Sequence, residues 1–279
     1  MSNAYSSAVE TARKYYNSDD ADNFYFTIWG GQDIHIGLYD PPNLPITQAS
    51  RKTVERMAQI IEQPNKATRI LDLGAGYGGA ARYLAKNHHC QVVALNLSEV
   101  ENQRNRDMNQ ADGLDQNIEV IDASFENIPC PDESFDVVWS QDAILHSGER
   151  EKVITEVARV LKPGGQFIFT DPMAADDADQ NALKPILDRI HLQSLGSTGF
   201  YKDACQNHGL SLESFEDLTS NLPVHYAAVL NETARLENTL SEVVTKDYLA
   251  RMKVGLQHWI DGGHAGQLTW GIFHFRKNA

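Results

Sequence analysis

Apolar positions along the chain fall into two rhythms. Short, nearly continuous runs such as Val92, Val93 and Leu95, or Val137, Val138 and Trp139, read as strands covered on both faces, as in a parallel sheet. Between them, Val153, Ile154, Val157, Val160 and Leu161 recur at the spacing of an amphipathic helix. The pattern predicts strands at 69–73, 91–97, 118–121 ending at Asp122, 135–140, and 166–170 after the turn Lys162-Pro163-Gly164-Gly165. Ser98 with Glu101 reads as a capping box opening the helix after the second strand. Beyond Asp171 the pattern loosens into a helix at 183–195, a strand at 211–217, helices at 225–240 and 246–260, and a last strand at 267–276. Ahead of the first strand lie a helix at 9–17, an aromatic segment at 24–39 and, past Asp40-Pro41-Pro42-Asn43, a helix at 47–61. Segments 172–200 and 220–262 are read as additions over the carboxyl edge of the sheet, where open α/β sheets place ligands.

The chain has 279 residues, enough for one sizeable α/β unit with a buried core, and it carries no internal repeat, low-complexity tract or Gly/Ser linker. A formal charge of −14 and a pI near 5.1 oppose nucleic-acid binding, which needs clustered Lys and Arg, and favour a small-molecule ligand. The same balance fits a salty milieu or selection for solubility. Cys90, Cys130 and Cys205 lack paired spacing, as in a reducing compartment. His88-His89-Cys90 is read as a solvated turn between helix and strand, so no metal is expected. No long apolar run or signal pattern is visible, which predicts a cytoplasmic protein without membrane contact; either a monomer or a homodimer is compatible with the sequence. Residues 1–4 read as a cloning remnant.

The first strand runs directly into Gly74-Ala75-Gly76-Tyr77-Gly78-Gly79 and then a helix. Glycines 74, 76 and 79 fit a nucleoside-cofactor loop, and alone leave NAD, FAD and S-adenosylmethionine open. Three features separate these. The loop lies a quarter of the way along the chain rather than at its start. Asp72, at the strand end, can accept a hydrogen bond from a ligand ammonium but would repel a pyrophosphate. The downstream order of strands resembles the S-adenosylmethionine-dependent methyltransferases, over about residues 66–276. The resemblance implies an α/β, seven-strand Rossmann-like class I methyltransferase fold with an N-terminal helical cap and lid insertions. Residues 1–279 then form one domain: a cap at 1–62, a cofactor-binding half at 66–171, and a substrate lid with C-terminal strands at 172–279.

Methyl transfer from a sulfonium is an in-line displacement, so the protein must hold donor and nucleophile in near-attack geometry and keep water out. Glycines let the backbone approach the cofactor where a Cβ would collide. Asn96 stands where this fold usually places an acid for the ribose hydroxyls; an amide can still accept one of those bonds. Asp122, Ala123, Ser124 and Phe125 match the adenine-binding turn, the carboxylate taking the exocyclic amine and Phe125 packing on the ring. With Asp72, Gly74, Ala75, Gly76, Leu97 and Gln141 they complete the expected cofactor site. Four residues after Asp142 comes His146, so that on one helical turn the two share a face and the carboxylate can orient the imidazole.

Three stretches are more selective: 15–25 (Tyr15-Tyr16-Asn17-Ser18-Asp19-Asp20-Ala21-Asp22-Asn23-Phe24-Tyr25), 28–39 (from Ile28-Trp29-Gly30-Gly31 through Ile34-His35 to Tyr39), and Leu268-Thr269-Trp270-Gly271-Ile272-Phe273. With the 140–147 segment and Asp171-Pro172-Met173, they make the chain resemble, nearly end to end, the sarcosine and dimethylglycine N-methyltransferases that make glycine betaine. The 142–146 stretch is also similar to phosphoethanolamine methyltransferases, in which the matching His works with an N-terminal Tyr. The resemblance implies that Tyr16 partners His146, with Tyr25 nearby, and that Pro172 and Met173 select already methylated glycines. Trp29, Trp270, Ile34 and His35 are expected around the substrate. A protonated tertiary amine has no lone pair, so a base must first take its proton, and His146 is the candidate. Aromatic rings from Tyr25, Trp29 and Trp270 would favour the cation that develops. Arg189 is the expected carboxylate fork, with His191 or Lys184 as lesser choices. Two alternatives stand beside this reading: a phosphobase methyltransferase, disfavoured by acidic residues around 171–188, and a non-catalytic cofactor-binding module.

Overall fold

The computed structural model describes residues 7–190 and 192–279; the remnant-like 1–4 and His191 lie outside the described residues. The cap comprises α1 (Ser7–Tyr16), α2 (Asp19–Trp29) and α3 (Ile46–Ala58). Helix α2 takes up the first part of the aromatic segment, as far as Trp29, and the stretch from 30 to 39 follows as irregular chain. Ser18 caps it by accepting from the Ala21 N–H, three aspartates in its first turn complement the helix dipole, and Gly30 ends it in the left-handed region.

Strand β1 (Arg69–Leu73) leads through the glycine loop into α4 (Gly79–His88), then β2 (Gln91–Asn96), α5 (Glu99–Ala111), β3 (Ile118–Asp122), β4 (Phe135–Gln141), α6 (Arg150–Val160) and β5 (Leu161–Thr170). After β6 (Met173–Ala174) come α7 (Gln180–Ile190), α8 (Thr198–Asn207), β7 (Leu210–Asp217), α9 (Asn221–Arg235), α10 (Glu237–Leu240), α11 (Lys246–His264), β8 (Leu268–Thr269) and β9 (Gly271–Lys277). The main sheet has the order β3-β2-β1-β4-β5-β9-β7. β1 to β5 pair parallel, while β9 runs antiparallel to both β5 and β7. Period-two alternation splits the strands between two layers: Leu71, Leu73, Phe167 and Phe169 pack against α6 and α8, whereas Ile70, Val137 and Ile168 pack against α3 and α4.

Several expected boundaries shift. The last strand breaks at Trp270, so that β8 pairs with β6 in a separate ribbon and only β9 joins the main sheet. α7 stops at Ile190, and Leu195 is buried from a loop. α9 begins at Asn221 and is interrupted after Arg235, and α8 was not anticipated. β5 starts at Leu161, with a register irregularity that absorbs the Pro-Gly-Gly turn. His89 closes α4 in the left-handed region as an exposed turn residue, but its neighbour Cys90 is fully buried in the core rather than solvated. Among the described residues, no helix is long and apolar enough to cross a membrane.

Candidate active site

Strand order reverses between β1 and β4, and the loops at their carboxyl ends open a crevice there. Leaving β1, the chain turns at Gly74, whose φ of +74° suits glycine and whose absent side chain leaves room for Ala143 of the β4 loop. The Gly74 N–H donates to Leu95 O at 2.8 Å, tying the loop to β2. A cavity of about 90 Å³ results, lined by Gly74, Gly76, Asn96, Leu97, Ser124, Phe125 and Gln141 and roofed by Val9, Ala12 and Tyr16 of α1. Glu99 fixes that roof, accepting from Arg13 at 2.9 Å and from Asn17 at 2.5 Å.

A second cavity of about 130 Å³ lies beside it, lined by Tyr15, Tyr25, Trp29, His35, Pro172, Arg189, Tyr226 and Trp259 among others. Ala12, Tyr16, Ile34, Asp142 and His146 belong to both cavities and form the wall they share. Asp72 and Ala75 instead line a hole of about 30 Å³ beneath the glycine loop.

In the shared wall, His146 Nε2 and the Tyr16 hydroxyl are 2.8 Å apart. Burial, with the Arg150 charge adding to it, lowers the imidazole to about 4, while burial holds the Tyr16 phenol well above its ordinary value. The pair is therefore a neutral phenol against a neutral imidazole. His146 sits on a 3₁₀ turn, Ile144–His146, held by Asp171, which accepts from the Leu145 N–H at 2.9 Å.

The expected helical turn joining Asp142 to His146 does not form. Asp142 precedes the 3₁₀ turn with a left-handed φ of 51°, and its carboxylate accepts from the Ile36 N–H at 2.7 Å and the Trp270 indole N–H at 2.8 Å. It is fixed by the cap and by the β8–β9 break, not by the imidazole. Trp270 accordingly lies fully buried behind Asp142 and forms no part of the aromatic wall. Met173 is likewise absent from the cavity, because ribbon pairing turns it into the sheet core, and Pro172 alone of that pair lines the wall. Asp122 and Ala123 do not reach the cofactor-side cavity; the Asp122 carboxylate pairs with Arg106 at 2.5 Å and accepts from Asn102 at 2.9 Å. Only half of the capping box forms. Ser98 accepts from the Glu101 N–H at 3.2 Å, but the Glu101 carboxylate turns inward and accepts from Asn96 Nδ2 at 2.8 Å.

Sequence reasoning missed Glu101, Tyr15, Tyr226 and Trp259. Burial pushes Glu101 up to about 7 against the Asn96 bond that lowers it, and its carboxyl lines the cavity beside Asn96. Its position three residues after a serine is equally that of a cap, so spacing alone gave no sign. Tyr226 on α9 and Trp259 on α11 stack at 5.1 Å, and at helical spacing they look like any core pair. Arg189 reaches the second cavity from α7, against the Met252 thioether and into space left by Gly255. Lys184 points away in an exposed pair with Asp188, and His191 lies outside the described residues.

A family model described as a methyltransferase domain matches residues 71–169. The sarcosine/dimethylglycine N-methyltransferase of Halorhodospira halochloris is 56% identical, over 97% of either chain. The glycine/sarcosine/dimethylglycine N-methyltransferase of Actinopolyspora halophila is 57% identical over 98% of this chain, which spans 48% of that protein. A crystal structure from Galdieria sulphuraria, assigned as a sarcosine dimethylglycine methyltransferase, superposes with a TM-score of 0.90 at 44% identity, covering 95% of this chain and 99% of the other. Near-full-length identity at this level, on a methyltransferase fold, means that the chain belongs to the sarcosine/dimethylglycine N-methyltransferase family.

Proposed function

We propose that the protein methylates the nitrogen of sarcosine and of dimethylglycine, using S-adenosylmethionine and ending at glycine betaine. The observation that carries this reading is the Tyr16–His146 pair, standing in one wall between a glycine-walled cavity and an aromatic cavity that ends at Arg189.

The cofactor-side residues fit S-adenosylmethionine: glycines 74 and 76 leave room for its methionine part, Phe125 offers a face for the base, and Asn96 with Glu101 offers acceptors for the ribose hydroxyls. When bound, this cofactor supplies an electrophilic methyl group on a sulfonium. The chain's own residues do the rest. Arg189 takes the substrate carboxylate, orienting the amine toward the shared wall. Tyr16 and His146 receive the ammonium proton, the phenol oxygen accepting it as its own hydrogen passes to Nε2, or His146 accepting it directly. Tyr25, Trp29, Tyr226 and Trp259 surround the nitrogen with π faces, which favour the quaternary cation more as its charge develops. Cap and lid exclude water from both cavities.

A phosphobase would bring a phosphate dianion. Among the described residues lining the second cavity, Arg189 is the one Arg or Lys, which matches a single carboxylate better. Incubation with methyl-labelled S-adenosylmethionine and separate amines, read by mass spectrometry, is expected to label sarcosine and dimethylglycine and to yield betaine from the latter. Label in phosphoethanolamine alone would overturn the reading, and label in none would leave a binding module.

Glu101→Ala is expected to weaken S-adenosylhomocysteine about 10- to 100-fold, the range of charge-assisted bonds to one carboxylate. The loss should be the same for 5′-methylthioadenosine, since both carry the ribose; titration calorimetry with both ligands checks it.

A further inference from the structure

Arg150, the first residue of α6, is buried, yet among the described residues no carboxylate forms an ion pair with it. Its guanidinium instead bridges two separate segments of chain. Nη2 donates to the Leu145 carbonyl at 3.3 Å and to the Ser194 carbonyl, Nη1 donates to the Ser194 hydroxyl at 3.2 Å, and Nε has no partner among the described residues. Burying a charge that nothing beside it neutralises is costly, and as mere core filling an apolar chain of that size would serve better. What a rigid planar fork adds is a fixed spacing between the two carbonyls it holds.

Those carbonyls belong to the segments that carry His146 and Arg189. Leu145 is the middle residue of the 3₁₀ turn that ends at His146. Asp171 already holds the Leu145 N–H, and Glu126 accepts from the Ser147 hydroxyl at 2.7 Å, so the turn is fixed to the sheet side without Arg150. Ser194 lies beyond α7, whose last turn carries Arg189, and the Leu192 N–H donates back to Leu187 O at 3.1 Å, tying that segment to the helix. Leu145 and Leu195 share a buried cluster with Leu183, Ile186 and Leu187 of α7, so the fork spans a packed joint between turn and lid.

We propose that Arg150 is a positioning residue that sets the separation of His146 from Arg189, and with it the length of amino acid the enzyme accepts. This rests on the proposed roles of His146 as base and Arg189 as carboxylate fork. Arg150 lines neither of the two cavities and acts through the residues it holds. With the amine end and the carboxylate end of the substrate gripped by different elements, a misplacement of about 1 Å between them costs on the order of 100-fold in rate.

The test compares dimethylglycine with N,N-dimethyl-β-alanine, which has one more methylene between nitrogen and carboxylate, in the wild type, Arg150→Gln and Arg150→Lys. The wild type is expected to favour dimethylglycine. Arg150→Gln is expected to lose about 10- to 100-fold in kcat on dimethylglycine and less on the longer amino acid, narrowing the ratio of the two about tenfold, with S-adenosylhomocysteine affinity unchanged. Arg150→Lys keeps a charge near the imidazole but not the fork, so it is expected to narrow the ratio too, and it decides the matter alone if the neutral variant does not fold. Equal losses on both substrates, a wild-type ratio in Arg150→Lys, or a wild type that turns over both amino acids alike would overturn the positioning role while leaving the activity reading intact. Absence of wild-type turnover on dimethylglycine would instead remove that reading and the positioning role with it.

Discussion

Replacing His146 by Asn is expected to slow methylation of dimethylglycine at neutral pH by about 10²- to 10⁴-fold, the span typical of a lost general base. The shorter amide removes the ring nitrogen that faces Tyr16 and cannot take a proton. Burial and the Arg150 charge hold the wild-type imidazole at about 4, so it is already deprotonated above that value and ready to accept. Its own titration therefore gives no limb near neutrality; loss of the acceptor form is confined to the region around pH 4. The remaining pH dependence belongs to the substrate ammonium, and the rate rises on the alkaline side. In the variant only amine that is already deprotonated can react, so the deficit should shrink as pH rises toward the ionisation of the amine. Rate profiles from pH 6 to 10 for both proteins, with S-adenosylhomocysteine affinity as the control for intact folding, check this. A deficit that stays constant with pH would move His146 from proton transfer to positioning. Tyr16→Phe, which removes the hydroxyl 2.8 Å from Nε2, should share the pH signature if the two act as a relay.

Arg189→Ala should raise KM for dimethylglycine by about 100-fold, since two charge-assisted bonds to a carboxylate are lost from a desolvated cavity. The effect should fall on carboxylate-bearing substrates alone: dimethylethanolamine, which presents the same amine without the acid, is expected to react equally poorly with both proteins. Lysine is not an adequate replacement, because a point charge cannot reproduce the fork, and Arg189→Lys should recover only part of the loss. Gly255 matters for the same reason. A Cβ there would collide with Arg189 Nε and push the guanidinium from the cavity, so Gly255→Ala should copy the Arg189 phenotype from the neighbouring helix. An unchanged KM in Arg189→Ala would mean that the carboxylate is held elsewhere.

The contrast between Gly74 and Asp142 shows how legible the site was. Gly74 was readable because a backbone conformation is written locally: a strand of fixed period, a residue with φ of +74°, then a helix. The Tyr16–His146 pair was reached only through likeness to other methyltransferases, since no spacing rule joins residues 130 positions apart. Reasoning by local spacing failed for Asp142. The i, i+4 rule presumes a helix, and the loop leaving β4 makes a left-handed turn first. It failed for Glu101 too, where a side chain free to swing outward as a cap or inward to Asn96 was settled by burial.

By itself, then, the chain determined the alternating strands and helices, the glycine loop and the presence of a cap, because hydrophobic period and turn geometry act over a few residues. Only the tertiary structure decided which side chains face one another across the crevice: Glu101 beside Asn96, Trp270 behind Asp142, and Arg189 in the space left by Gly255. Those contacts join residues far apart in sequence, and their positions follow from how the cap and lid helices pack on the sheet, a property of the whole domain that no local pattern encodes.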